Sequence, residues 1–580
     1  MRGMSMTDNM AGQYKPAGML TAAAVLFALT LLAYSNSFNA GFHFDDFHQT
    51  VNNKNIADLA NLPRFFVAPE LGSAHHWNKG YRPVTHGSFA VSYALAGGAV
   101  WGYHAVNFLL HFINALLVFI LVGSVLKRSG HMAYYYTAMA ASAIFAVHPI
   151  ETSAVTYISG RAVLLATSFY LMSFLAFIRY REHGGYGWAA AAPLLYMAGL
   201  LSKEMAVSLP VMMFAYDVLF TAKPRRAWLY YTPFIAAFMA YIALRRAFSG
   251  FVTAPELPFG TGEYLMSEAK ALLLYVRLLI MPVNQNVDYN LPPTLSIDPM
   301  VVFSAVAVAA SLVWLFRLRA KSPAVSFFGL WFFVALAPES TLVPITDIAV
   351  EYRLYLPSVG FIAAVVVLAE GLMKRRETLK KAVAFPLIAM FLILSMYRNC
   401  VWADEERLWS DAAKKSPYSL RAHVNLGTVL SKQGRYAEAA VEYRRSIEID
   451  PLSEEAAKVS YNLGVCLSRV GRTDDALDEF RRTVRIDPGF ADAYANAGAI
   501  YYDAGRYKEA EEALRKAVFI NPASGLSHLN LGLTYWKLAR LDDAQREMEA
   551  AVPLMPGDFD VRYNLALVYN ANGHREKTER

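Results

Sequence analysis

Two adjacent carboxylates, Asp45 and Asp46, are the residues here whose type and spacing best suit acid–base chemistry. They sit in Gly41-Phe42-His43-Phe44-Asp45-Asp46-Phe47, just beyond the apolar run Met19 to Tyr34. An ionised carboxylate inside hydrocarbon costs roughly 2.5–3.5 kcal/mol on insertion scales, so acids this close to a bilayer need a reason. One carboxylate can take a proton from a hydroxyl while its neighbour orients it; the plain alternative is a solvated loop.

Other polar groups recur at the ends of apolar runs. Arg82, in Trp77-Asn78-Lys79-Gly80-Tyr81-Arg82-Pro83, offers a planar fork to an anion, or snorkels to lipid headgroups. His104, Asn107 and His111 share a helix face at steps of 3 and 4, a pattern that serves interhelical hydrogen bonds as readily as a ligand. His148-Pro149-Ile150-Glu151 must break a span, because proline lacks a donor and disfavours helix before itself. Gly160-Arg161, Ser202-Lys203-Glu204 and Glu351-Tyr352-Arg353 complete the set. Lys203 with Glu204, and Glu351 with Arg353, have a simple reading in which each pair neutralises itself.

These side chains need elements to hold them, and the composition says which. The chain has 580 residues, 56% hydrophobic and only 17% charged, too apolar for one soluble globule. Apolar runs of near 20 residues, enough to cross ~30 Å of hydrocarbon, recur through residues 17–399. Spans are expected near 17–35, 103–126, 133–148, 161–179, 187–201, 204–220, 227–247, 299–318, 324–343, 355–373 and 382–399, about eleven in all. The segment 265–283 carries Glu268, Lys270 and Arg277 and reads as an interfacial or partly inserted amphipathic helix.

The net charge of +7 is explained by basic clusters between spans, such as Lys127-Arg128, Arg179 to Arg181, Lys223 to Arg226, Arg317 to Lys321 and Lys374 to Lys381. Cytoplasmic retention accounts for them, and nucleic-acid binding is not indicated. With Met1 also inside, Asp45-Asp46 in the long loop 36–100 and every other candidate group fall on the outer face. The first run is too long for a simple signal peptide and is expected to stay as a span. Cys400 and Cys466 make no disulfide framework.

Residues 400–580 differ in kind. Asn425-Leu426-Gly427, Asn462-Leu463-Gly464, Asn496-Ala497-Gly498, Asn530-Leu531-Gly532 and Asn564-Leu565-Ala566 recur at steps of 37, 34, 34 and 34, and prolines recur at 417, 451, 488, 522 and 556. A 34-residue period with small mid-helix residues and Gly-Arg-Tyr turns is that of tetratricopeptide repeats, each a helix pair. After a linker helix at 400–419, residues 420–577 hold four full repeats and a partial fifth. The expected fold is therefore all-α: a polytopic membrane bundle over 1–399 followed by an α-solenoid.

Together, the outer Asp-Asp, the Arg-Pro, the Tyr-His-x-x-Asn helix, His-Pro-x-x-Thr with Ile-Ser-Gly-Arg, Ser-Lys-Glu and Glu-x-Arg-Leu-Tyr-Leu-Pro-Ser, with the repeats behind them, resemble the transmembrane-and-TPR-containing O-mannosyltransferase family. These are GT-C glycosyltransferases, and the resemblance covers nearly the whole chain in order. One departure is Glu151, where the family pattern has a second histidine.

The resemblance implies transfer of a mannose-like sugar from a polyprenyl-phosphate donor to a hydroxyl of a protein or peptide, recruited by the repeat groove. It implies one of the two acids as base, Asp45 first and Asp46 as the alternative, the other orienting or stabilising charge, with inversion at the sugar carbon. The leaving phosphate needs positive charge, for which Arg82, Arg161, Lys203 and Arg353 are candidates, with His104, Asn107, His148, Glu204 and Glu351 lining the same site. No obligatory cofactor is expected; adjacent acids could take a divalent metal, but the basic residues substitute for it. A bacterial inner membrane, with site and repeats in the periplasm, or an endoplasmic reticulum with both in the lumen, fits this topology. Competing readings are a membrane-anchored repeat scaffold, which leaves eleven spans unexplained, and a lipid-substrate transporter, which would spread charge over both faces.

Overall fold

The computed structural model describes residues 16–75, 80–221, 230–249, 259–340, 347–373 and 376–573. Trp77, Asn78 and Lys79, the basic cluster Lys223 to Arg226, and Lys374 with Arg375 lie outside the described residues. All regular elements among the described residues are helical. The chain divides into two units, one ending at Asp411 and the other beginning at Ala412, so the linker predicted at 400–419 is split between them.

In the first unit the helices are α1 (Pro16–Tyr34), α2 (Pro83–Ala96), α3 (Val100–Arg128), α4 (Tyr134–Val147), α5 (Arg161–His183), α6 (Tyr186–Ser202), α7 (Leu209–Phe220), α8 (Thr232–Ser249), α9 (Thr261–Ile280), α10 (Pro299–Leu318), α11 (Pro323–Ser340), α12 (Tyr355–Leu372) and α13 (Glu377–Val401). A helix lies at each of the eleven expected spans, but fewer are long enough to cross. Seven of the described helices are long and apolar enough to cross a membrane, and an eighth counts if the pair Tyr134–Val147 and Pro149–Val155, bent by 47°, is one span. The shortfall from eleven has local causes. The helices that end or begin at the breaks His148-Pro149 and Ser202-Lys203-Glu204 are short, with 14 residues in α4, 17 in α6 and 12 in α7, and α8 carries Arg245 and Arg246 near its end.

Helix α9 has the amphipathic form expected of it. Tyr264, Ser267, Glu268, Ala271, Tyr275, Leu278 and Leu279 form one buried stripe at helical spacing. Its apolar end packs on Phe332, Leu336, Ile348 and Leu354. Elsewhere the bundle closes through small residues. At Gly360, where α12 crosses α11, an added Cβ would lie 2.5 Å from the Phe328 carbonyl and 2.7 Å from Trp331 Cβ, so only glycine permits this approach. The Trp331 indole N–H donates to the Leu356 carbonyl across the same crossing, at 3.0 Å.

The alternation of helix direction brings the C-terminal ends of α1, α4, α6, α11 and α13 together with the N-terminal ends of α2, α3, α5, α7 and α12. Hydrogen bonds tie this end: Thr85 Oγ1 donates to the Ser202 carbonyl, and Asn399 Nδ2 to the Ala33 carbonyl. The other end carries basic ends of helices, where Arg128 donates to the Phe220 carbonyl and Arg181 pairs with Asp217 at 2.9 Å.

In the second unit four helix pairs follow one another: Leu420–Lys432 with Tyr436–Ile449, Ala456–Arg469 with Thr473–Ile486, Ala491–Asp503 with Tyr507–Ile520, and Gly525–Lys537 with Leu541–Leu554. A fifth first-helix, Phe559–Ala571, follows. The mid-helix glycines have a steric reason. A Cβ on Gly427, Gly464, Gly498 or Gly532 would meet Tyr443, Phe480, Leu514 or Met548 of the paired helix at 2.5–3.0 Å. This unit is the tetratricopeptide-repeat solenoid that the 34-residue period predicts.

Candidate active site

The loop after α1 turns the two acids in opposite directions. Phe44 has φ 49°, the left-handed region that costs a non-glycine residue about 1–3 kcal/mol. Its ring is held by Trp409 and Tyr157, with centroids 4.9 and 5.9 Å away. His43 is fixed on its other side, its Nε2 donating to the Trp402 carbonyl at 2.8 Å. From this turn Asp46 points inward and is fully buried, whereas the Asp45 side chain is 58% exposed.

Asp46 is held by protein donors. Oδ2 accepts from the His43 N–H at 3.0 Å; Oδ1 accepts from the Ser159 N–H at 2.8 Å and the Ser159 hydroxyl at 2.5 Å. Burial pushes this carboxyl up to about 7, against those hydrogen bonds, which favour the charged form. Asp46 therefore ties the loop to the segment before α5. Asp45 keeps one oxygen 3.2 Å from His48 Nε2 and receives backbone support from Tyr157, whose hydroxyl accepts the Asp45 N–H at 3.3 Å. The two acids do not present a joint pair of carboxylates to solvent.

Arg82 stands just before α2, a third exposed, with Nη2 2.9 Å from Glu204 Oε1. His86 stands one helical turn beyond Arg82, its N–H donating to the Arg82 carbonyl at 3.1 Å. Burial, aided by the charges of Arg82 and His48, pushes its imidazole down to about 4, so it is neutral near pH 7. Gly72 lets this ring fit, since a Cβ there would come within 2.4 Å of His86 Nε2.

Lys203 and Arg353 lie deeper. Lys203 Nζ is 2.5 Å from Glu339 Oε1 and sits over the Tyr352 ring at 4.8 Å. Arg353 donates to the carbonyls of Ile348 and Asp347, at 3.0 and 2.7 Å, and has Glu268 Oε1 3.6 Å from Nη1. Both are nearly fully buried. The sequence-adjacent pairs therefore do not neutralise themselves. Lys203 pairs with Glu339 and Glu204 with Arg82, because neighbours at a helix break point in opposite directions. Glu351 likewise turns away from Arg353: it accepts from the Asn286 N–H and the Tyr289 hydroxyl, both at 2.7 Å, and lies 3.7 Å from Arg398 Nη2.

The remaining candidates sit in the interior. Arg161 is fully buried; Nε donates to Asn107 Oδ1 at 2.8 Å, Nη1 to the Ser88 carbonyl and Ser92 Oγ at 3.1 and 2.6 Å, and Nη2 to the Tyr103 carbonyl at 2.6 Å. Asn107 Nδ2 in turn reaches the carbonyls of Val155 and Tyr157. His104 Nε2 lies 3.0 Å from the Ala40 carbonyl, and His148 Nε2 3.1 Å from that of Leu279. His104 thus ties α3 to the loop before Asp45, Arg161 and Asn107 tie α2, α3 and the segment before α5, and His148 holds the end of α9. The structure brings Asp45, Arg82 and Glu204 to accessible positions, with Lys203 beneath, and keeps His104, Asn107, His148, Arg161, Glu351 and Arg353 as buried supports.

Sequence reasoning passed over His48, Tyr157, Ser159, Glu268, Glu339 and Tyr352 as individual contributors. Ser159 and Tyr352 lay inside the motifs already noted. Glu339, a lone acid closing the apolar run of α11, had the clearest signal of needing a buried cation.

Residues 418–489, 461–525 and 529–574 match the tetratricopeptide-repeat family. Over 452 residues the chain is 28% identical to a protein O-mannosyl-transferase of Caenorhabditis elegans, covering 74% of this chain and 63% of that protein. It is 26% identical over 483 residues to protein O-mannosyl-transferase TMTC4 of Mus musculus, covering 72% and 65%. A shorter stretch of 198 residues is 35% identical to protein O-mannosyl-transferase Tmtc1 of Drosophila melanogaster, 33% of this chain and 22% of that one. The chain thus spans under two thirds of the length of these curated relatives. Among solved structures, MamA aligns with a TM-score of 0.25 at 23% identity, over 26% of this chain and 86% of its own. YrrB, described as a TPR protein with an unusual peptide-binding site, aligns with a TM-score of 0.27 at 22% identity, over 29% and 86%.

Proposed function

We propose that this chain, a homologue of the transmembrane and tetratricopeptide-repeat protein O-mannosyl-transferases, is itself a membrane glycosyltransferase. It moves a mannose-like sugar from a polyprenyl-phosphate donor to a hydroxyl of a protein acceptor. The observation that carries this reading is the split of Asp45 from Asp46, which leaves one open carboxylate on a braced loop while a partly exposed guanidinium, Arg82, stands at the start of the helix that follows that loop.

In the step, the acceptor hydroxyl gives its proton to Asp45 as its oxygen bonds to the sugar C1. The C1–O bond to the lipid phosphate breaks from the opposite face, with inversion, and the phosphate leaves with the electron pair. A phosphate needs no proton to leave, but it needs countercharge. Arg82 supplies this by bidentate hydrogen bonds, and Lys203 adds charge from beneath. The step needs no metal in this reading, because Arg82 and Lys203 supply the countercharge and Asp46 is turned inward, away from Asp45. The repeats hold the acceptor chain or a partner that delivers it, on the outer side of a bacterial inner membrane or in an endoplasmic reticulum lumen.

The test is a donor panel. Membranes containing the protein, and control membranes without it, are incubated with radiolabelled polyprenyl-phosphate mannose, other polyprenyl-phosphate sugars and nucleotide sugars. The expected result is protein-bound label from a polyprenyl-phosphate sugar only where the protein is present. Label from nucleotide sugars alone, with extracted lipid intermediates excluded, overturns the donor class; no label from any donor favours a repeat scaffold.

A further inference from the structure

His48 lies one turn beyond Asp45, on the π-helical turn Phe47–Val51. Its Nε2 is 3.2 Å from Asp45 Oδ1, and its Nδ1 is 2.9 Å from Ser73 Oγ. Ser73 Oγ also accepts the His75 backbone N–H at 3.0 Å, and the His48 carbonyl accepts the Ala74 N–H at 2.7 Å. The imidazole is therefore anchored to segment 73–75 through both backbone and ring. Its side chain is 12% exposed, against 58% for Asp45.

With Asp45 ionised, as a base must be, and the ring neutral, donor and acceptor rules give one consistent arrangement. An ionised carboxylate only accepts, so Nε2 carries hydrogen in its contact with Asp45. A neutral ring then offers Nδ1 as an acceptor, and the Ser73 hydroxyl, already accepting from His75, donates to it. Donors and acceptors match along the whole chain from His75 to Asp45. One oxygen of Asp45 is held, and the other is left to the open side.

We propose that His48 is a positioning residue for the transfer: its Nε2–H holds Asp45 Oδ1 so that Oδ2 meets the acceptor hydroxyl. This rests on Asp45 being the base. The acceptor proton passes to Oδ2 as the oxygen–C1 bond forms and the phosphate departs, while His48 keeps its own proton throughout. An exposed carboxylate without this anchor samples several rotamers, and a misplacement of about 1 Å in a reacting group can cost about 10²-fold.

The experiment compares the full-length His48→Ala and His48→Gln proteins with wild type, using polyprenyl-phosphate mannose as probe donor, an acceptor protein, and thermal unfolding of each. Glutamine keeps an N–H donor at similar reach; alanine does not. The expected outcome is a kcat for His48→Ala about 10- to 100-fold below wild type, with KM for the donor unchanged, and substantial recovery of kcat in His48→Gln. If both variants lose activity only in proportion to lost folded protein, His48 is merely structural and the proposal fails. Asp45→Asn separates the two layers: full activity in Asp45→Asn removes the base assignment itself, whereas inactive Asp45→Asn beside fully active His48→Ala removes only the role of His48.

Discussion

Asp45→Asn is expected to lower sugar transfer by about 10²–10⁴-fold while leaving the protein folded, the range lost when a positioned general base is removed. The substitution is nearly isosteric, and the asparagine carbonyl can still accept from His48 Nε2 in place of Oδ1. The side chain is largely exposed, so the swap leaves no buried charge or donor unpaired. What disappears is the basic oxygen on the open side. Steady-state transfer at saturating donor, with expression and melting temperature matched to wild type, checks this; the loss falls on kcat rather than on KM, because the proton moves only in the transition state.

Arg161→Ala is expected to act in the opposite way, through the fold. The guanidinium is fully buried and donates to Asn107, Ser88, Ser92 and Tyr103, while its plane lies near the rings of Phe89 and Tyr103, at 4.9 and 5.7 Å. Truncation strips four acceptors of their donor inside an apolar bundle and opens a cavity. Breaking a buried charged network of this sort costs about 3–5 kcal/mol, enough to deplete the folded protein. Thermal unfolding in detergent and the yield of folded protein measure it. An arginine that bound the donor phosphate would behave differently: the variant would fold normally and show a raised KM.

The contrast between these two residues also marks where sequence reading stops. The repeats of 420–577 are legible because one motif recurs five times at steps of 37, 34, 34 and 34, and each mid-helix glycine answers to one large neighbour on its paired helix. The spans are legible as apolar runs, although the break at Ser202-Lys203-Glu204 starts α7 only at Leu209, where the apolar run alone starts a span at 204. Which charged residue faces which is another matter. Asp45 and Asp46 are chemically identical neighbours, and what separates them is a left-handed Phe44 together with Ser159, which stands 113 positions away. Lys203 and Glu204 look like a self-neutralising pair, yet each finds its partner on a distant element, Glu339 and Arg82. Local charge pattern shows that a polar site exists; only the packing of helix ends decides which members are exposed. His48 illustrates the same limit, since its anchor at Ser73 depends on how the loop 36–100 folds back on itself.

In the proposed function one acid of the pair does chemistry while the other builds the loop. Its most direct test sets Asp45→Asn beside Asp46→Asn at pH 8, above the value of about 7 to which burial pushes the Asp46 carboxyl. At position 46 both carboxylate oxygens accept from protein donors, so an amide puts N–H against N–H and costs about 1–3 kcal/mol. Asp46→Asn is expected to melt at a lower temperature yet to transfer sugar when assayed well below that temperature. Asp45→Asn is predicted to melt like wild type and transfer almost none. An inactive Asp46→Asn of native stability, beside an active Asp45→Asn, would contradict this division of roles.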